Sequence, residues 1–180
     1  VDAGVGKTAA VVARVAKEVA KMRVGDPMDE ATEIGAIISA EQHARVCHYV
    51  EMARATPGAR IVCGGGRPAG EALARGHFYA PTLIEGVPHA SPVCQDEIFG
   101  PVAIAVRWRA FDEAIALAND TRFGLAASVW TRDLARALAF VERVKAGFVQ
   151  VNQYITPQPN LPYGGLKASG LGKENSLEAM

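Results

Sequence analysis

The segment Gln95-Asp96-Glu97-Ile98-Phe99-Gly100-Pro101-Val102 gathers groups able to hold a small molecule. Two adjacent carboxylates, an aromatic and a Gly-Pro turn stand directly before an apolar run. A carboxylate in that place can accept paired hydrogen bonds from a sugar diol, and an aromatic face can pack on a flat ring. The same residues suit a solvated acidic turn with Phe99 as a core anchor, and spacing by itself favours that plainer reading. A second group begins at Asn152 and runs through a proline-rich loop to Leu161-Pro162-Tyr163-Gly164-Gly165-Leu166-Lys167-Ala168-Ser169-Gly170-Leu171-Gly172-Lys173-Glu174. Four glycines in nine residues there permit tight turns and close backbone approach, although the spacing is not that of a dinucleotide fingerprint.

Other candidates carry less. Gly4-Val5-Gly6-Lys7-Thr8 resembles the end of a phosphate-binding loop, but Val1 stands where the motif needs glycine and no strand precedes it. A glycine-rich entry to a helix is the reading kept. Cys47, Cys63 and Cys94 are odd in number and form no CxxC pair, so neither a disulfide framework nor a zinc site is expected. Small or apolar neighbours suit reduced, partly buried thiols, and hence a cytoplasmic protein. His43, His48, His77 and His89 make no HExxH-like cluster, so no metal is expected.

Composition narrows the partners. The 180 residues slightly exceed the usual prior of about 150 per domain and suffice to bury a core. Hydrophobic residues make up 49% and charged residues 21%, an ordinary globular mixture. Nineteen basic residues balance nineteen acidic ones, which argues against a nucleic-acid partner. No apolar run reaches the 18 or so residues that a membrane span requires. No targeting peptide is expected at Val1, and Asn175 or Ser176 is read as capping a helix whose first turn ends the chain. The chain is therefore read as a fragment, incomplete at both ends.

The elements that must position these groups follow from periodicity. Val11, Val12, Val15 and Val19 predict a helix over Ala9–Met22, ended by Gly25 and Pro27 around an Asp26–Asp29 turn. Ser39 is expected to cap a second helix, with Glu41 and Gln42 in its first turn and Val46, Tyr49, Val50 and Met52 apolar. Ala59–Cys63 reads as a strand closed by Gly64-Gly65-Gly66. Phe78–Ile84 reads as an extended stretch, at an edge or broken because of Pro81. Val102–Val106 is expected to be a strand covered on both faces. Helices over Phe111–Ala118 and Asp133–Val144 then alternate with strands over Ala126–Thr131 and Phe148–Val151. Such alternation predicts an α/β domain with a parallel sheet and crossover helices, in one domain without an internal linker.

GDP at Gly25, QDEIFGPV, NDTRFGLAASVWTRD, AGFVQVN and PYGGLKASGLGKE, in that order, resemble the aldehyde dehydrogenase superfamily over about residues 11 to 180. The resemblance implies the C-terminal part of such an enzyme: a Rossmann-like catalytic domain facing a separate NAD(P)-binding domain, with a small oligomerisation arm. By that resemblance Glu97 holds the nicotinamide ribose hydroxyls and Phe99 packs beside the nicotinamide. Tyr163 stands where the family places an aromatic, usually phenylalanine, at the substrate entrance, and Asn152 begins the loop that shapes it; residues 152–180 are read as that loop and the start of a C-terminal helix. The implied activity is oxidation of an aldehyde to an acid through a cysteine thioester, with NAD or NADP, in a homo-oligomer when complete. The nucleophilic cysteine, base glutamate and cofactor glycine motif are expected upstream, so this chain supplies no catalytic residue of its own. Residues 1–8 do not match the family pattern and stay unassigned. A non-catalytic binding or structural module, and a phosphate-loop nucleotide binder, remain alternatives.

Overall fold

Ser39 opens the helix on which the first half of the chain is built. A computed structural model describes the backbone of residues 5–177 and the side chains of residues 8–177. These divide into two compact units, whose border in the sequence lies between Arg107 and Trp108.

In the first unit, α1 (Val5–Val19) starts four residues before the expected Ala9, so Gly6, Lys7 and Thr8 are helical backbone rather than a phosphate loop. Its buried face centres on Val12. The Asp26 turn forms as expected, its carboxylate accepting from the Met28 amide at 2.9 Å. α2 (Ala40–Ala55) is capped by Ser39, whose Oγ accepts from the Gln42 amide at 3.1 Å. It buries Val46, Tyr49, Val50 and Ala53, and Met52 packs at the margin of the same core.

Three strands complete that core: β1 (Arg60–Cys63), β2 (Thr82–Glu85) and β3 (Val102–Ala105), in the order β1-β2-β3. β1 runs antiparallel to β2, and β3 parallel. Two short helices, α3 (Glu71–Ala74) and α4 (Pro92–Gln95), lie between them in the chain.

Two expectations need correction here. Phe78–Ile84 is not an edge or broken strand: the strand begins at Thr82, is buried at all four positions and occupies the middle of the sheet. Pro81 stands outside the ladder, where its missing N–H costs nothing. Val102–Val106 is not covered on both faces within its unit. Val102 and Ile104 pack on the core, while Ala103 and Val106 are exposed.

In the second unit, α5 (Phe111–Asn119), α6 (Leu134–Arg143), β5 (Ala126–Val129) and β6 (Phe148–Val151) build a smaller core on Ile115, Phe140 and Val144. β5 and β6 pair in parallel through the α6 crossover, as alternation predicts. Asp133 caps α6 by accepting from the Arg136 amide at 3.1 Å. β4 (Phe123–Gly124) and β7 (Leu166–Lys167) add a two-residue antiparallel ladder that the sequence pattern does not announce. Asn175 and Ser176 adopt positive φ, and residues 178–180 of the expected terminal helix lie outside the described residues.

Candidate functional site

The turn 96–99 is held by one stripe of α2. Gln42, Arg45 and Tyr49 stand at i, i+3 and i+7, which places them on a single helical face. Gln42 Nε2 donates to the carbonyls of Ile98 at 2.8 Å and Phe99 at 2.9 Å. Arg45 Nη2 donates to the Glu97 carbonyl at 3.1 Å, and its guanidinium lies 5.1 Å from the centroid of the Tyr49 ring. Tyr49 Oη donates to Asp96 Oδ2 at 2.9 Å. Four consecutive residues are thus tied to one helix.

The consequence is a division of side chains. Ile98 is buried with the Val46 and Val50 cluster, whereas Phe99 on its far side is 72% exposed. Phe99 is therefore not the core anchor that the plainer reading of this segment requires; Ile98 is. Phe99 also sits at φ 59°, a left-handed conformation that costs a residue bearing Cβ about 1–2 kcal/mol. Such strain persists only where the surroundings over-determine it. Glu97 is exposed, and its carboxylate accepts no hydrogen bond among the described residues. Glu97 and Phe99 share an open groove of about 440 Å³ with Glu41, Gln42 and Arg45.

In the other unit, Asn152 begins its loop with a structural bond pair. Its Oδ1 accepts from the Thr131 amide at 2.8 Å and its Nδ2 donates to the Thr131 carbonyl at 2.9 Å. The side chain thereby extends the β5–β6 pairing by one step, from a φ of 54°. Gln150 fastens the loop, its Oε1 accepting from the Thr156 amide at 2.8 Å. Tyr163 exchanges backbone hydrogen bonds with Glu174, and its ring meets Phe148 edge-on at 5.2 Å. A Cβ at Gly147 would overlap the Gly164 carbonyl, so here the glycines do serve close approach. Lys167 Nζ donates to the carbonyls of Asn119 at 2.9 Å and Thr121 at 3.1 Å, closing the end of α5.

The cysteines are free thiols, all half-buried. Burial pushes the Cys94 thiol above its ordinary pKa; the cause is desolvation rather than the neighbouring carboxylates. No cluster of three metal-ligating side chains exists among the described residues. None of their helices is long and apolar enough to cross a membrane.

Comparison with known proteins decides what this fold is. The model of the aldehyde dehydrogenase family matches residues 6–180. The chain belongs to the aldehyde dehydrogenase family. It is 40% identical to betaine aldehyde dehydrogenases of Brucella anthropi and Brucella melitensis over 94% of its length, covering 34% of each relative. The structure of the Staphylococcus aureus betaine aldehyde dehydrogenase with NAD+ matches at a TM-score of 0.87 and 35% identity, over 92% of this chain and 33% of that one. An aldehyde dehydrogenase structure from Burkholderia cenocepacia matches at a TM-score of 0.92 and 38% identity, over 96% and 35%. The chain thus spans about a third of the relatives it matches. The expected Rossmann-like α/β fold holds for this aldehyde dehydrogenase chain.

Gln42, Arg45 and Tyr49 are the site residues that sequence reading passes over. A stripe at i, i+3 and i+7 is visible in α2, but nothing in the sequence says that it faces residues 96–99, some fifty positions away.

Proposed function

We propose that this chain forms the cofactor-facing groove and part of the substrate entrance of an NAD(P)-dependent aldehyde dehydrogenase that oxidises an aldehyde to a carboxylic acid. One observation carries the reading. An exposed carboxylate with no hydrogen bond among the described residues stands two positions from an exposed aromatic ring on a rigidly held turn. That pair fits a sugar diol beside a flat heteroaromatic ring. Glu97 accepts from the two ribose hydroxyls of NAD or NADP, and Phe99 lends its face to the nicotinamide. When bound, the cofactor supplies the hydride acceptor.

The carbon chemistry of this class would add a cysteine thiolate to the aldehyde, pass a hydride from the resulting thiohemiacetal to the nicotinamide to leave a thioester, and release the acid and the thiolate when water attacks that thioester. Cys94 does not suit that role, because burial favours its neutral thiol. Cys47 and Cys63 lack the nucleophile's sequence context. Tyr163 and the loop from Asn152 border the aldehyde's path. A soluble cytoplasmic homo-oligomer completes the reading.

Glu97→Gln tests it, in an enzyme form that turns over aldehyde. Single-turnover NADH formation should slow about tenfold or more, since small misplacements of reacting groups cost that much. Thiolate addition should stay largely intact. An unchanged burst rate removes Glu97 from the site.

A further inference from the structure

The three carbonyls captured by α2 belong to consecutive peptide planes. Gln42 holds the carbonyls of both Ile98 and Phe99, and these planes flank the Phe99 Cα. A peptide plane is rigid, so fixing both neighbours of one Cα fixes its φ and ψ together. Arg45 adds the Glu97 carbonyl, the plane between Glu97 and Ile98. The Gln42 side chain has only two N–H donors, and these bonds engage its amide nitrogen twice. Its own place is set by the Ser39 cap on one side and by the buried Val46 and Val50 on the other.

We infer that Gln42, supported by Arg45, is a positioning residue that sets the pose of Glu97 and Phe99. This rests on the proposed role of those two side chains. Left alone, Phe99 would leave the left-handed region for an ordinary one. Its ring would swing away, and the plane carrying Glu97 would lose the constraint on one side. Gln42 therefore acts on the cofactor through two other residues.

The experiment is a cycle built on Gln42→Met, which keeps the length without donors, and Gln42→Glu, which keeps the shape but offers carboxylate oxygens to carbonyls. Each is made in the otherwise unchanged enzyme and in a Glu97→Gln, Phe99→Ala background. Readouts are NAD+ affinity by calorimetry, NADH formation in single turnover, the backbone chemical shifts of residues 98–100, and hydrogen exchange at Val46 and Val50. In the unchanged background either variant should slow NADH formation at least about tenfold and weaken NAD+ binding. The shifts of residues 98–100 should leave the values that a left-handed Phe99 gives them, while exchange stays slow at Val46 and Val50. In the altered background the same substitutions should slow NADH formation less than about threefold, because residues acting through one another do not add. Equal effects in both backgrounds overturn the inference, as does no effect in the unchanged one. Loss of protection at Val46 and Val50 in both variants overturns it too, since the bonds then hold the fold rather than the turn. A Glu97→Gln, Phe99→Ala enzyme that binds and reacts as the unchanged one overturns instead the reading of the site itself.

Discussion

Asn152 offers a graded test of how the entrance loop is held. Its amide makes two bonds to the Thr131 backbone, at 2.8 and 2.9 Å, from a residue at φ 54°. The residue is exposed, so each bond is taken at the low end, about 0.5 kcal/mol. Alanine loses both and keeps the left-handed strain of about 1–2 kcal/mol, for a total near 2–3 kcal/mol. Glycine loses both bonds without the strain, but frees the unfolded chain by about 0.5–1 kcal/mol, for about 1.5–2 kcal/mol. Aspartate keeps the acceptor and its tolerance of left-handed backbone but turns a carboxylate oxygen toward the Thr131 carbonyl, a repulsion that solvent screens at this exposed site, so it loses about 0.5–1 kcal/mol. The expected order of destabilisation is Ala, then Gly, then Asp, read from urea midpoints at constant slope. Alanine no worse than aspartate would refute the reasoning. A rise in KM for aldehyde without lost stability would show that the amide serves the substrate rather than Thr131.

Three further outcomes are expected. Tyr163→Ala should change the preference between short and bulky aldehydes, by about 1–3 kcal/mol or less, with cofactor affinity nearly constant. Equal loss for every aldehyde in kcat/KM comparisons would make the Tyr163–Phe148 contact purely structural. Glu85 is buried between Arg60 at 2.6 Å and Arg107 at 3.3 Å, and hydrogen bonding from Arg60 holds its carboxyl below the ordinary value. A depressed folded pKa contributes stability that is present above the unfolded value of about 4.3 and is lost as pH falls through the folded one. Glu85→Gln should therefore cost about 1–3 kcal/mol near pH 7 and flatten the acid limb of a melting-temperature profile. Residues 1–180 alone, given a panel of aldehydes with NAD+ or NADP+, should form no NADH or NADPH; turnover abolished by Cys94→Ser would make Cys94 the nucleophile.

Local signals carried much of the fold. Ser39 caps α2, Asp133 caps α6, and Val46, Val50, Ile115 and Phe140 face inward because their spacing leaves one apolar side. The β5-α6-β6 crossover likewise follows from alternation of period and turn. Legibility ended where a pattern admits two placements. Pro81 suggested an edge, because proline cannot donate to a ladder, yet one residue of offset puts it before the strand and lets β2 run through the centre. Val102–Val106 is apolar throughout, but hydropathy does not say what lies on each face. In the candidate site, Glu97 and Phe99 are proposed through family resemblance, and only the structure shows Ile98 as the buried member of the trio. Gln42 and Arg45 were not legible at all, since side-chain bonds to main-chain carbonyls leave no mark at the accepting positions.

The central claim is that Glu97 and Phe99 meet the nicotinamide end of the cofactor. A crystal structure of the turnover-competent enzyme with NAD+ measures this most directly. The account predicts both ribose hydroxyls within about 2.5–3.0 Å of the Glu97 carboxylate, with the nicotinamide against the Phe99 ring and Gln42 still bonded to the carbonyls of Ile98 and Phe99. A nicotinamide ribose bound elsewhere, with Glu97 facing only solvent, would contradict it.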